Sequence, residues 1–126
     1  MPTMIRRSET VTLNEKRREI LHTVSWQMMQ SVWSPPTDVY ETEKEYIVRV
    51  EVAGMRESDF EVIYENGNLF ISGIRPDVSE RRAYYQMEIR FGKFSTAVTI
   101  PGPVDLDQSQ AEYHDGFMTV TLSKIK

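Results

Sequence analysis

The chain changes its hydrophobic period once. Leu13, Ile20, Leu21, Val24, Met28 and Val32 recur at helical spacing, with Lys16, Arg17, Arg18 and Gln27 elsewhere around the axis. Thr12-Leu13-Asn14-Glu15 is a capping-box pattern, in which the threonine accepts from a backbone N–H while the glutamate reaches back. The spacing predicts an amphipathic helix over about 13–30, and Trp26, Met29 and Trp33 beside its stripe make it greasier than its length requires. That stripe either packs on the body of the same chain or meets other subunits and unfolded chains, since methionine-rich faces adapt to varied partners. Residues 1–10 show no period and are expected to be mobile. Ser34-Pro35-Pro36 ends the helix, because proline lacks a backbone donor and disfavours helical geometry in the residue before it.

Beyond the prolines the period is that of strands. Asp38-Val39-Tyr40-Glu41 is a short one, and Tyr46, Val48, Val50 and Val52 share one face of the next. Phe60, Val62 and Tyr64 alternate with acidic residues up to Asn66-Gly67, the strongest hairpin signal in the chain, and Leu69, Ile71 and Gly73 continue after it. Residues 75–86 form a polar loop opened by Pro76-Asp77, yet Tyr84-Tyr85-Gln86-Met87 is too β-prone for plain linker. Phe94, Thr96, Val98 and Ile100 make a further strand, stopped by Pro101-Gly102-Pro103. The stretch Ala111–Leu122 closes the pattern with two strands meeting at Asp115-Gly116, a pair suited to the positive backbone angles of a two-residue turn. Short strands divided by turns, with no helix between them, predict an all-β, antiparallel, immunoglobulin-like sandwich. The expected organisation is an arm over 1–34, a domain over 35–124 and a vestigial tail at 125–126.

Composition narrows the chemistry. A chain of 126 residues can bury roughly two thirds of its unfolded surface in one domain, so it needs no metal or disulfide. It has no cysteine, which removes disulfide scaffolds, thiolate zinc sites and cysteine nucleophiles, and suits a reducing cytoplasm. No apolar run follows the basic start or is long enough to span a bilayer, so a cytoplasmic protein is expected. Residues 1–34 hold five Lys/Arg against three Asp/Glu, while 35–126 hold ten against sixteen. A body of that sign argues against nucleic acid as a partner.

Four stretches, in order, resemble the small heat-shock protein family, which carries the α-crystallin domain. Ser34–Thr42 resembles the opening of that domain. Val50-Glu51-Val52-Ala53-Gly54-Met55 with Asp59-Phe60 resembles its leucine-proline-glycine turn, with alanine in place of proline. Phe91-Gly92-Lys93-Phe94-Ser95 through Ile100-Pro101 resembles its tyrosine-glycine-x-phenylalanine-serine strand. The closing stretch is similar to the signature A-x-x-x-n-G-v-L, with Asp115, Phe117 and Met118 as the departures.

The resemblance implies an ATP-independent chaperone, a holdase that binds partly unfolded proteins and prevents their aggregation. It also implies a homodimer or larger homo-oligomer. In the bacterial and plant type a strand of the long loop pairs with the partner's first strand; here Tyr84, Tyr85, Gln86 and Met87 would be exchanged onto Asp38, Val39 and Tyr40 of the other chain. Backbone pairing of this kind covers an edge that otherwise invites aggregation. The alternative is a loop folded over its own domain. The family also has a groove between its fourth and eighth strands that takes an isoleucine-x-isoleucine motif. Carried over, its walls fall on Phe60, Val62, Tyr64, Gln110, Ala111 and Tyr113, some of them ordinary core residues. The sequence departs from the family in closing on Leu122-Ser123-Lys124-Ile125-Lys126, without that motif. Either it assembles without a tail or the chain is shortened, and a larger particle would then rest on the helix residues Leu21, Val24, Trp26, Met28, Met29 and Trp33.

No catalytic, cofactor or metal residues are expected. The chain lacks a glycine-rich phosphate loop, and His22 and His114 are its only histidines. Ser72, Ser95 and Ser123 have no nucleophile elbow, and Glu57, Asp59 and Glu61 fit a charged strand face better than an acid–base pair. Membrane contact is not expected, Lys16-Arg17-Arg18 reading as the wet side of the helix. Two other readings stand beside the holdase: a sandwich-type co-chaperone docking one folded partner, and a membrane-surface stress protein using the helix.

Overall fold

The alternation at Tyr46, Val48 and Val50 turns every second side chain of one strand inward, and that strand is central to the molecule. The computed structural model describes residues 5–7 and 32–125. Among these described residues eight strands run in the order β1 (Ile5–Arg7), β2 (Thr37–Glu41), β3 (Glu45–Glu51), β4 (Phe60–Glu65), β5 (Asn68–Arg75), β6 (Gly92–Thr99), β7 (Val104–His114) and β8 (Phe117–Lys124). They form two four-stranded sheets, ordered β2-β3-β8-β7 and β1-β4-β5-β6. The helix expected over 13–30, with Leu21, Val24, Trp26, Met28 and Met29, lies outside the described residues.

Packing follows from the period. Val48, Val50 and Val52 meet Met118, Val120 and Leu122 from one sheet and Val62, Leu69, Ile71 and Phe94 from the other, all essentially without exposure. Each such side chain contributes about 1.5–3 kcal/mol on leaving water, so the sandwich is held by its interior rather than by surface pairs. Both expected hairpins form. Asn66 and Gly67 take φ of 49° and 78°, and Asp115 and Gly116 take 50° and 85°, the left-handed angles that match strand twist.

Three features differ from the sequence reading. Ile5–Arg7, expected to be mobile, is a strand: it adds parallel to β4, with Ile5 facing Val62 and Arg7 facing Tyr64. The sandwich is therefore antiparallel except at this edge. Strand β7 begins at Val104, well before the hairpin, and its register against β8 slips between Asp105 and Gln110. Side chains bridge the slip. Ser109 Oγ donates to the Asp105 carbonyl at 2.7 Å and accepts from Ser123 N at 3.0 Å, and Ser123 Oγ donates to the Gln108 carbonyl at 2.8 Å. That run of Asp, Gln and Ser hides a strand because polar side chains replace the missing ladder bonds. Third, Trp33 is a bridge residue paired parallel with Phe94, not part of a client helix. Its amide donates to the Lys93 carbonyl at 3.2 Å, Ser95 N donates to the Trp33 carbonyl at 3.0 Å, and the Trp33 ring lies 5.6 Å from that of Phe94.

Candidate functional site: an open edge, an apolar arm and a seam

Strand β2 is bonded to β3 from Thr37↔Val50 to Glu41↔Tyr46, and no described strand lies on its other side. Thr37 ties it to the opposite sheet, its Oγ1 lying 3.1 Å from Thr96 Oγ1. The strand is thus fixed in place while its outer row of backbone donors and acceptors is open. Val39 and Tyr40 are 43% and 46% exposed, an apolar pair on a free edge.

Residues 76–91 connect β5 to β6 without forming a strand, and each of them is exposed. Val78 at 65%, Met87 at 65% and Ile89 at 66% share the segment with Tyr84 and a fully exposed Tyr85. None of this set reaches the core of its own sandwich. The ends of the segment are nonetheless fastened. Arg75 Nε donates to the Arg90 carbonyl at 2.7 Å, Nη2 donates to the same oxygen, and the guanidinium lies over Trp33 at 4.5 Å and Phe91 at 5.4 Å. Inside the arm, Arg82 Nη2 meets Asp77 Oδ1 at 2.9 Å and its guanidinium covers the Tyr84 ring at 5.4 Å. Trp33, expected beside the helix, and Arg75, which the sequence reading passed over, hold the ends of this segment. Neither has a periodic signal, because both act through contacts distant in the chain.

The six expected groove residues lie on β4 and β7 in different surroundings. Phe60, Val62 and Ala111 are buried and belong to the core. Tyr64 and Tyr113 are half-buried on the rim, and Gln110 is exposed. Tyr113 closes one end. Its hydroxyl donates to the Val52 carbonyl at 2.8 Å and accepts from Met55 N at 3.3 Å, while its own N–H donates to Glu57 Oε1 at 3.2 Å. Phe60 packs on its ring at 5.0 Å between centroids. Strand β1 lies along the outer edge of this seam, on β4 and against β7, with half-buried Ile5 packed on the core. No sequence signal announces Ile5, since three residues are too few to carry a period.

Among the described residues no group of three or more His, Asp or Glu side chains could hold a metal ion. Nor is any described helix long and apolar enough to cross a membrane. The arrangement can offer backbone pairing and apolar surface to another polypeptide.

Comparison with known proteins agrees with that architecture. The Hsp20/alpha crystallin family matches residues 38–126. Heat shock protein 16 of Schizosaccharomyces pombe is 38% identical over 97 residues, covering 74% of this chain and 68% of its own. The 17.6 kDa class II heat shock protein of Arabidopsis thaliana is 33% identical over 116 residues, covering 89% and 75%. The solved structure of heat shock protein 16.0 from S. pombe superposes with a TM-score of 0.67 at 37% identity, over 74% of this chain and 88% of that one.

Proposed function

The chain belongs to the Hsp20/alpha crystallin family, and from that premise we propose that it is an ATP-independent holdase working as a strand-exchanged homodimer. The observation that carries the reading is the arm over 76–91, whose apolar residues Val78, Tyr84, Tyr85, Met87 and Ile89 all face water. Leaving so much apolar surface in solvent is unfavourable unless a partner covers it. A strand needs an open edge, and β2 supplies one on which Val39 and Tyr40 lie bare. In the dimer, Tyr84–Met87 of each chain pairs along Asp38–Tyr40 of the other; backbone bonds supply affinity and the alternate side chains supply register.

Client capture follows from the same physics. A holdase needs no reaction centre, only apolar surface that unfolded segments share with the chaperone's own contacts and then exchange. Half-buried rim residues such as Tyr64 and Tyr113 and the apolar arm fit that use. The helix residues expected to bind clients would add to it.

The decisive experiment follows light scattering from a heat-aggregating test protein with and without an equimolar amount of this chain, in the absence of nucleotide. Suppressed scattering is the expected result. Scattering that proceeds unchanged overturns the holdase assignment.

A further inference from the structure

Both roots of the exposed arm converge on one side chain. Arg75, the last residue of β5, reaches across to the far root: Nε donates to the Arg90 carbonyl at 2.7 Å and Nη2 donates to the same oxygen. Its Nη1 donates to the Ala53 carbonyl at 3.5 Å, and the guanidinium lies over the Trp33 ring at 4.5 Å and the Phe91 ring at 5.4 Å. We propose that Arg75, braced on Trp33, is a positioning residue for strand exchange: it sets the rotation and direction in which Tyr84–Met87 leaves the sandwich, and so ties dimer strength to where Trp33 sits. This role rests on the strand-exchanged dimer proposed above and names the residues that aim its strand.

Three observations carry this. First, the clip contributes little to the fold itself. Arg90 and the rest of 76–91 are exposed, so water replaces the guanidinium at the Arg90 carbonyl at little loss. Second, exchange needs an aimed strand. In an extended run Tyr85, Met87 and Ile89 point to one side and Gln86 and Glu88 to the other. Gln86 Nε2 donates to Glu88 Oε2 at 2.6 Å, as neighbours on one side do. A strand presented one residue out of step would turn the Tyr85, Met87 and Ile89 side away from the edge it docks on. Rotation is therefore best fixed at the root, and a flat guanidinium can meet a carbonyl and ring faces at once, which an ammonium on a flexible stem cannot. Third, the brace is stiff. Trp33 N donates to the Lys93 carbonyl at 3.2 Å, its carbonyl accepts from Ser95 N at 3.0 Å, and its Nε1 donates to the Gly92 carbonyl at 3.3 Å. Trp33 is also where the preceding chain meets β6. Whatever lifts it from β6 removes the support of Arg75 and lets the arm swing, and an arm that must be ordered on docking binds more weakly.

The test uses the full chain and reads dimer strength by sedimentation across a concentration series. Arg75→Met keeps an apolar stem for the rings and removes the donors. It should weaken the dimer roughly tenfold while the urea midpoint of the diluted chain is unchanged. Arg75→Lys should weaken it as much, since charge alone does not rebuild the clip. Trp33→Leu should weaken it too, and combining it with Arg75→Met should add nothing to the larger single loss, because both break one device. A second readout needs no dimer. Arg75 faces Gly92 in the register, so Pro76→Cys and Phe91→Cys stand at the next pair of the roots, in a chain with no cysteine of its own. At high dilution this pair should close to an intrachain disulfide roughly tenfold faster than the same pair with Arg75→Met added. Circular dichroism of each variant checks the fold. The proposal is overturned if Arg75→Met leaves dimer strength unchanged, if Arg75→Lys restores it, if the Trp33 and Arg75 losses simply add, or if the rate of closure ignores Arg75. A wild-type chain that stays monomeric at every concentration defeats the strand-exchange reading and this proposal with it, whereas a dimer indifferent to Arg75→Met defeats only this proposal.

Discussion

The Tyr113 hydroxyl donates to the Val52 carbonyl at 2.8 Å and accepts from Met55 N at 3.3 Å, joining the turn after β3 to the last residues of β7. One phenol therefore satisfies two backbone groups 61 and 58 residues away. Tyr113→Phe keeps the ring against Phe60 but leaves both groups without it. Stability should fall by about 1–2 kcal/mol, read from a urea midpoint at constant slope. An unchanged midpoint would remove the hydroxyl from this role.

Gly73 is required by space rather than by backbone angle. A Cβ there would stand 2.6 Å from the Asp59 carbonyl oxygen and 2.8 Å from Phe94 Cζ. Phe94 is itself buried and cannot swing away. Gly73→Ala is expected to cost about 2–3 kcal/mol, the penalty of an overpacked core. Gly92→Ala is the contrast: it has open space but a φ of +91°, so only the backbone penalty, about 1 kcal/mol, should appear. Thermal melting of the two variants checks the order.

Replacing Tyr85 and Met87 by serine removes one fully exposed and one 65% exposed apolar side chain, neither of them part of the core. The fold should keep its melting temperature at dilution while the proposed dimer weakens roughly 10,000-fold, from about 1.5 kcal/mol for each of the four burials lost across its two chains. Sedimentation across a concentration series separates the two effects. A dimer of undiminished strength would place the interface elsewhere.

If apolar burial drives client capture, the complex should persist in about 1 M salt, where charges are screened within about 3 Å, and should tighten on mild warming. Pull-down of a heat-denatured client across salt and temperature tests both. Loss of binding in salt would shift the explanation to the acidic body of the domain.

The sequence went far toward the sandwich. Tyr46, Val48 and Val50 repeat every second residue, and the two turns Asn66-Gly67 and Asp115-Gly116 carry the residues their angles demand. Periodicity of two and positive-angle turns are local properties, so they are written in neighbouring residues. Tyr84–Met87, read as β-prone from sequence, form no strand within this chain. The polar half of β7 was not legible, because Ser109 and Ser123 hold it through bonds across the bulge.

By itself, then, the order of residues determined the periodic strands, which of their faces turn inward and where the two tight hairpins reverse the chain. Tertiary structure decided who meets whom: Trp33 beside Phe94, Arg75 across Trp33 and Phe91, Tyr113 on Val52, and Ile5 beside Val62. Each of these contacts joins residues between 16 and 61 positions apart. Such pairings follow from how two sheets stack and which edges remain open, and a pattern of neighbours holds no record of that.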